Sequence, residues 1–174
     1  ALPAMAAGSF SKKDELPYDF LRKRLSIVAT DGQRDLMITK GAVAEVLAVC
    51  DRVELADGRI EPIEGEKGAI LAQFEQQSAQ GLRAIAVAWK DVTGAAPLSE
   101  KDEAVMVFAG FTLLEDPPRE GISAVFQRLA SLGISLKIIS GDNRLAAAHL
   151  ARTVGLDAAG MLTGGEMDAL DEAS

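Results

Sequence analysis

Four residues in the last third of the chain, Ser140-Gly141-Asp142-Asn143, stand between a short apolar run (Ile134 to Ile139) and the onset of a helical pattern at Leu145. In a parallel α/β unit, ligands bind beyond the carboxyl ends of strands. The free amides and dipole of the following helix favour an anion there. Ser140 offers a hydroxyl, Gly141 lets a phosphate approach the backbone, and Asp142 can hold a metal or a ribose hydroxyl. The same four residues also fit a plainer part, in which Asp142 or Asn143 caps the helix that begins at Arg144.

A second constellation lies near the start, in "YDFLRKRLSIV", where Phe20 neighbours Arg22, Lys23 and Arg24 just before a strand. An aromatic face beside several cations suits a nucleotide, whose base stacks while its phosphates meet positive charge. An ordinary core aromatic followed by a solvated charged edge has the same appearance. Lys40 and Gly41 close the second strand of the hairpin that follows, and Arg83 opens another strand after Gly81; either cation also reads as plain surface charge. Cys50 falls on an apolar helical stripe and reads as packing. His149, the one histidine, has no visible partner and reads as structural, and Trp89 alternates with Ile85 and Val87 as a core residue. No Ser-His-Asp set, catalytic carboxylate pair or zinc spacing can be assembled, and no metal ligands are assigned.

The elements that must position these residues follow from pattern and turn chemistry. Residues 1 to 16 are small, polar and charged and read as a loose lead-in. Leu25 to Thr30 and Arg34 to Thr39 flank Asp31-Gly32 as a hairpin. A helix through Val43, Val46, Leu47 and Cys50 follows, then a smaller hairpin from Val53 to Ile63 around Asp57-Gly58. Ile70, Leu71 and Phe74 mark a helix closed by Gly81. Leu82 to Trp89 and Ala104 to Leu114 are strands, separated by a loop with Gly94 and Pro97. At Asp116-Pro117-Pro118 two residues without backbone donors end the strand. Beyond them the order is helix (Ile122, Val125, Phe126, Leu129, closed by Gly133), strand (Ile134 to Ile139), helix (Leu145 to Val154, closed by Gly155), then a short apolar step at Met161-Leu162 and a last helical start. The expected fold is α/β (α+β): an antiparallel sheet flanked by helices over residues 1–116, then a partial parallel α/β segment over 117–174.

Composition bounds the partners. At 174 residues, 48% hydrophobic and 25% charged, the chain reads as globular. A net charge of −8 argues against nucleic acid or an anionic membrane surface, since both need a basic face. One cysteine excludes an internal disulfide. No run approaches the roughly 18 apolar residues of a membrane span, and the N-terminus carries no export signal.

In order along the chain, "PYDFLRKRLSIV", "KGAVAEVLAVC", "GLRAIAVAW", "DPPREGISAVFQRLASLGISLKIISGDN" and "VGLDAAGMLTGGEMDAL" resemble the cytoplasmic ATP-handling region of P-type cation-transporting ATPases. The "DFLRKR" spacing, and valine where many members have proline in "KGAPE", look most like the bacterial magnesium-importing subclass; calcium pumps share the general pattern. The resemblance implies a nucleotide-binding domain over 1–116 and part of a haloacid dehalogenase-like phosphorylation domain over 117–174. Phe20 then matches the aromatic that stacks on adenine, Lys40 (with Gly41) the lysine lining the adenine pocket, and Arg83 the arginine reaching the phosphates. Arg24 sits near a nucleotide-contacting cation, and Asp116 and Pro117 match the interdomain hinge. Ser140 and Gly141 match the residues that bind the transferred phosphoryl group, serine replacing the usual threonine, and Asp142 the residue on the nucleotide or magnesium side.

The family forms an aspartyl-phosphate on the aspartate of "DKTGT", a step of carboxylate nucleophilic catalysis. That motif, the later "GDGxNDxP" and the actuator "TGES" do not occur in these residues. The resemblance therefore implies a piece of a larger ATPase, without chemistry of its own, from the cytoplasmic portion of an inner or plasma membrane protein. Its implied ligands are ATP and Mg2+. Its implied partners are the actuator, the rest of the phosphorylation domain and the membrane helices, with self-association of the piece as a further expectation. A stand-alone hydrolase of the haloacid dehalogenase type and a plain interaction domain are the other readings.

Overall fold

The computed structural model describes residues 10–94, 99–158 and 160–170; Pro97, expected in a loop, lies outside them. Contacts divide the chain into two units. The first runs through Phe74 and resumes over Ala84–Leu113, and the second comprises Glu75–Arg83 and the chain from Leu114 on.

The first unit is built on a seven-stranded sheet: β1 (Ser11–Asp19), β2 (Arg24–Thr30), β3 (Asp35–Gly41), β4 (Cys50–Glu54), β5 (Ile60–Pro62), β6 (Arg83–Asp91) and β7 (Met106–Leu114), in the order β1-β2-β3-β6-β7-β4-β5. The β2–β3 hairpin forms around Asp31-Gly32. The Asp31 carboxylate accepts from the amides of Gln33 (2.9 Å) and Arg34 (2.7 Å), and Gly32 takes φ +90°. β4 and β5 form the smaller hairpin as expected. Of the expected loose lead-in over residues 1 to 16, residues 1–9 lie outside the described residues. From Ser11 the chain is not loose but pairs through Asp19 with β2, where its backbone polar groups gain ladder partners, with register shifts between Lys12 and Asp14 and between Leu16 and Asp19. The sheet also departs from the expected antiparallel pattern: β4 and β7 run parallel, with Val53 opposite Phe108. Between them the chain passes through α2 and β6, the long crossover that a parallel pair requires.

Helix α1 (Val43–Leu47) is shorter than its pattern. Cys50, expected on its stripe, instead opens β4, where its Sγ lies 3.1 Å from the Val46 carbonyl. Burial, with the charge of Asp51, pushes its thiol up to about 12, so it packs rather than reacts. Val43, Val46 and Leu47, at i, i+3 and i+4, meet Met37, Val53, Ile70, Ala86, Ala88, Met106 and Phe108 in one core. Trp89 is half-buried rather than core, and its Nε1 donates to Glu54 at 2.9 Å.

The second unit contains the end of α2 (Lys67–Ala79), α3 (Ile122–Ser131), α4 (Arg144–Thr153) and α5 (Gly164–Asp168). His149 is not without a partner: its Nδ1 lies 3.2 Å from the Ala79 carbonyl, the contact of an Nδ1–H donor. Gly81, at φ +86°, makes room for its ring, since a Cβ there would stand 2.5 Å from His149 Cδ2. The expected strand Ile134–Ile139 does not form. A strand exists only through a neighbour that takes its hydrogen bonds, and among the described residues none lies beside this run; Ile139 is 98% exposed. The short apolar step at Met161-Leu162 carries no regular element, and the last helical start after it is α5. The apolar stripe of α3 buries none of its residues.

Candidate functional site

Phe20 sits in the turn joining β1 to β2, 85% exposed, with its ring edge-on to Tyr18 at 5.3 Å. Burial in a core does not explain it. The turn is tied locally: Asp19 accepts from the amides of Leu21 (2.8 Å) and Arg22 (2.7 Å), and the Lys23 amide donates to the Asp19 carbonyl at 2.7 Å. The Arg22 amide, followed by that of Leu21, outweighs the opposing effect of desolvation and holds the Asp19 carboxyl below its usual range.

Behind this turn lies a buried polar cluster that no local pattern announces. The Glu103 carboxylate, 3% exposed, accepts from Arg22 Nη1 (2.6 Å), Arg24 Nε (2.7 Å) and Ser26 Oγ (2.6 Å). Ser26 in turn shares a 2.6 Å hydrogen bond with Thr39. Burial alone would raise the Glu103 pKa, but the hydrogen bonds from Arg22, Ser26 and Arg24 together bring it below its ordinary value. Arg24, expected near a nucleotide, is thus engaged inward, and also reaches the Glu45 carbonyl at 3.3 Å. The available signal was spacing: Arg24 and Ser26 alternate on the strand face that also carries the buried Val28.

Gly41 has a steric role. A Cβ there would stand 2.4 Å from the Lys23 carbonyl oxygen and 2.6 Å from Arg24 Cβ, so only glycine lets β3 end against the Phe20 turn. The neighbouring Ala42 amide donates to that Lys23 carbonyl at 3.0 Å. Lys40, opposite Leu25 and Val87 in the ladder, is exposed.

In the second unit, the competing roles of the Ser140–Asn143 turn separate. Asn143 is the cap: its Oδ1 accepts from the amides of Leu145 (3.1 Å) and Ala146 (3.0 Å), and its Nδ2 donates to the buried Ser78 hydroxyl at 3.1 Å. Asp142 is left to other partners. Its Oδ1 pairs with Arg83 Nε at 2.8 Å, while its Oδ2 accepts from the Ser140 hydroxyl at 3.1 Å. Gly141 has open space where a Cβ would stand. Arg83, Asp116, Asp142 and His149 line a cleft of about 300 Å3 within this unit. Among the described residues no three or more His, Cys, Asp or Glu side chains gather as a metal-ligand group, and no helix is long and apolar enough to cross a membrane.

The family described as P-type ATPase, cytoplasmic domain N, matches residues 5–121. This chain belongs to that family. It is 32% identical over 169 residues to the Magnesium-transporting ATPase, P-type 1, of Salmonella typhimurium, an alignment covering 94% of this chain. It is likewise 32% identical to the Escherichia coli protein of that name, over 95% of this chain. A calcium-transporting ATPase of Listeria monocytogenes is 35% identical over 94% of this chain. In each case the chain spans 19% of the relative's length.

Proposed function

We propose that this chain is the ATP-holding part of a P-type cation-transporting ATPase, with a nucleotide-binding domain over residues 1–116 and part of a haloacid dehalogenase-like phosphorylation domain over 117–174. The parent couples ATP hydrolysis, through an aspartyl-phosphate, to movement of a cation across the membrane that holds it. Magnesium is the favoured cation, supported by magnesium-transporting relatives aligned over nearly the whole chain. The Listeria calcium-transporting relative supports calcium as the second reading.

The observation that carries the nucleotide reading is Phe20: a large aromatic held outward, 85% exposed, on a turn fixed by hydrogen bonds. Such a face stacks on adenine with little ordering cost. The exposed ammonium of Lys40 serves the same base. Arg83, Ser140, Gly141 and Asp142 belong to the phosphate end of the chemistry, and Asp116 to the hinge. Mg2+ arrives on the ATP phosphates, since no dedicated carboxylate cage is needed for an ion that keeps most of its ligands as water and phosphate oxygen.

With no aspartate in a "DKTGT" setting, the 174 residues alone bind ATP without turning it over. Titration with ATP, followed by a phosphate-release assay, tests both halves. Binding without release is expected. Steady release abolished by Asp142→Ala would instead favour a stand-alone hydrolase, and absence of binding an interaction domain.

A further inference from the structure

The nucleotide reading leaves the Glu103 cluster unused. Buried carboxylate–guanidinium clusters are an inefficient way to fill space, because desolvation offsets much of the attraction and an apolar filling often does as well. Arg22 adds to the cost: its Nε is buried with no hydrogen-bond partner and has only an ion-pair contact with Glu100 at 3.5 Å. A tolerated orphan donor calls for an explanation other than stability.

The connectivity offers one. All three hydrogen bonds to Glu103 end on the Phe20 turn or on the first residues of the strand that leaves it: Arg22, Arg24 and Ser26. Arg22 also donates from Nη2 to the Pro17 carbonyl at 3.1 Å, on the strand that enters the turn. One side chain of the turn is thereby drawn inward, while its two predecessors, Phe20 and Leu21, stand 85% and 91% exposed.

We propose that Glu103 is a positioning residue for the nucleotide: its buried carboxylate, by binding Arg22 and Arg24, fixes the turn that presents Phe20 to the base. The inference rests on the nucleotide reading above. The residue does not touch the ligand; it acts through the order and orientation of Phe20. Ser26 and Thr39 complete its shell, so that neither carboxylate oxygen is free to swing.

The test uses the full chain with Glu103→Gln, Phe20→Ala and the double variant, measuring backbone order at residues 20–22 by NMR relaxation and affinity for ATP by titration. Glutamine keeps the size of the side chain and removes the charge. The wild-type turn is expected to be rigid (order parameter about 0.85), falling below about 0.6 in Glu103→Gln. ATP affinity should fall about fivefold or more in Glu103→Gln, and by much less when Phe20 is already alanine. If Glu103→Gln fails to melt cooperatively, Glu103→Asp, which keeps the charge and draws it back by one methylene, carries the same two readouts. Wild-type protein that does not bind ATP overturns the nucleotide reading itself. Wild-type protein that binds, together with a variant whose turn stays rigid or whose ATP affinity is unchanged, overturns only the role of Glu103.

Discussion

Arg24 Nε donates to Glu103 Oε2 at 2.7 Å, joining positions 79 residues apart at a site that excludes water from the carboxylate. Removing the acid leaves two guanidinium groups, Arg22 and Arg24, facing each other's charge with no anion between them. Glu103→Ala is expected to lower unfolding stability by about 3–5 kcal/mol, the range for breaking a buried pair from one side. A urea transition shifted by less than about 1 kcal/mol would show that water or Glu100 takes over.

The same carboxylate gives stability a pH dependence. Its folded pKa lies below the ordinary value of 4.5, with the hydrogen bonds from Arg22, Ser26 and Arg24 overcoming the effect of burial. A depressed carboxyl contributes in full above its unfolded pKa, and that contribution is lost as pH falls through the folded value. The melting temperature should therefore decline as pH is taken below about 4.5. The decline should be shallower in Glu103→Gln, which has no proton to gain; identical slopes in the two proteins would contradict the assignment.

Gly41→Ala tests the other side of the Phe20 turn. The added methyl would meet backbone, the Lys23 carbonyl oxygen at 2.4 Å and Arg24 Cα at 2.7 Å, so the strand end or the turn must move. A loss of about 1–3 kcal/mol is expected, as for overpacking. Chemical-shift changes should concentrate at residues 20–24, and a variant as stable as the parent with an unshifted turn would show that β3 does not abut it.

Much of the first unit was legible because it is local. Asp31-Gly32 encodes its own turn, and Val43, Val46 and Leu47 encode one helix face. The parallel pairing of β4 with β7 was not, since nothing near Val53 names Phe108 as its partner. Glu103 was hidden for the same reason: in the charged run Glu100-Lys101-Asp102-Glu103 it reads as one more surface acid until Arg22, Arg24 and Ser26 converge on it. Residues 134–139 failed differently. Their composition is that of a strand, but composition supplies no neighbour, and the apolar run stays outside any ladder. The Ser140–Asn143 turn carried both of its readings in sequence; the cap fell to Asn143 and the pairing with Arg83 to Asp142.

That missing ladder has a measurable consequence. Amides of residues 134–139 should exchange with solvent orders of magnitude faster than those of β2 and β3, whose ladder runs from Arg24↔Gly41 to Thr30↔Asp35. Protection at 134–139 equal to that of the hairpin, in a proven monomer, would mean that the run finds a strand partner in solution.

In the proposed function, Phe20 stands outward to take a nucleotide base. Calorimetric titration of ATP into the wild-type chain and into Phe20→Ala tests it most directly, with thermal melts confirming that both are equally folded, as expected for a residue 85% exposed. Saturable binding by the wild type, weakened by about 1 kcal/mol or roughly fivefold in the variant, is the predicted result. Equal affinity in the two proteins, or no binding by the wild type, would contradict it.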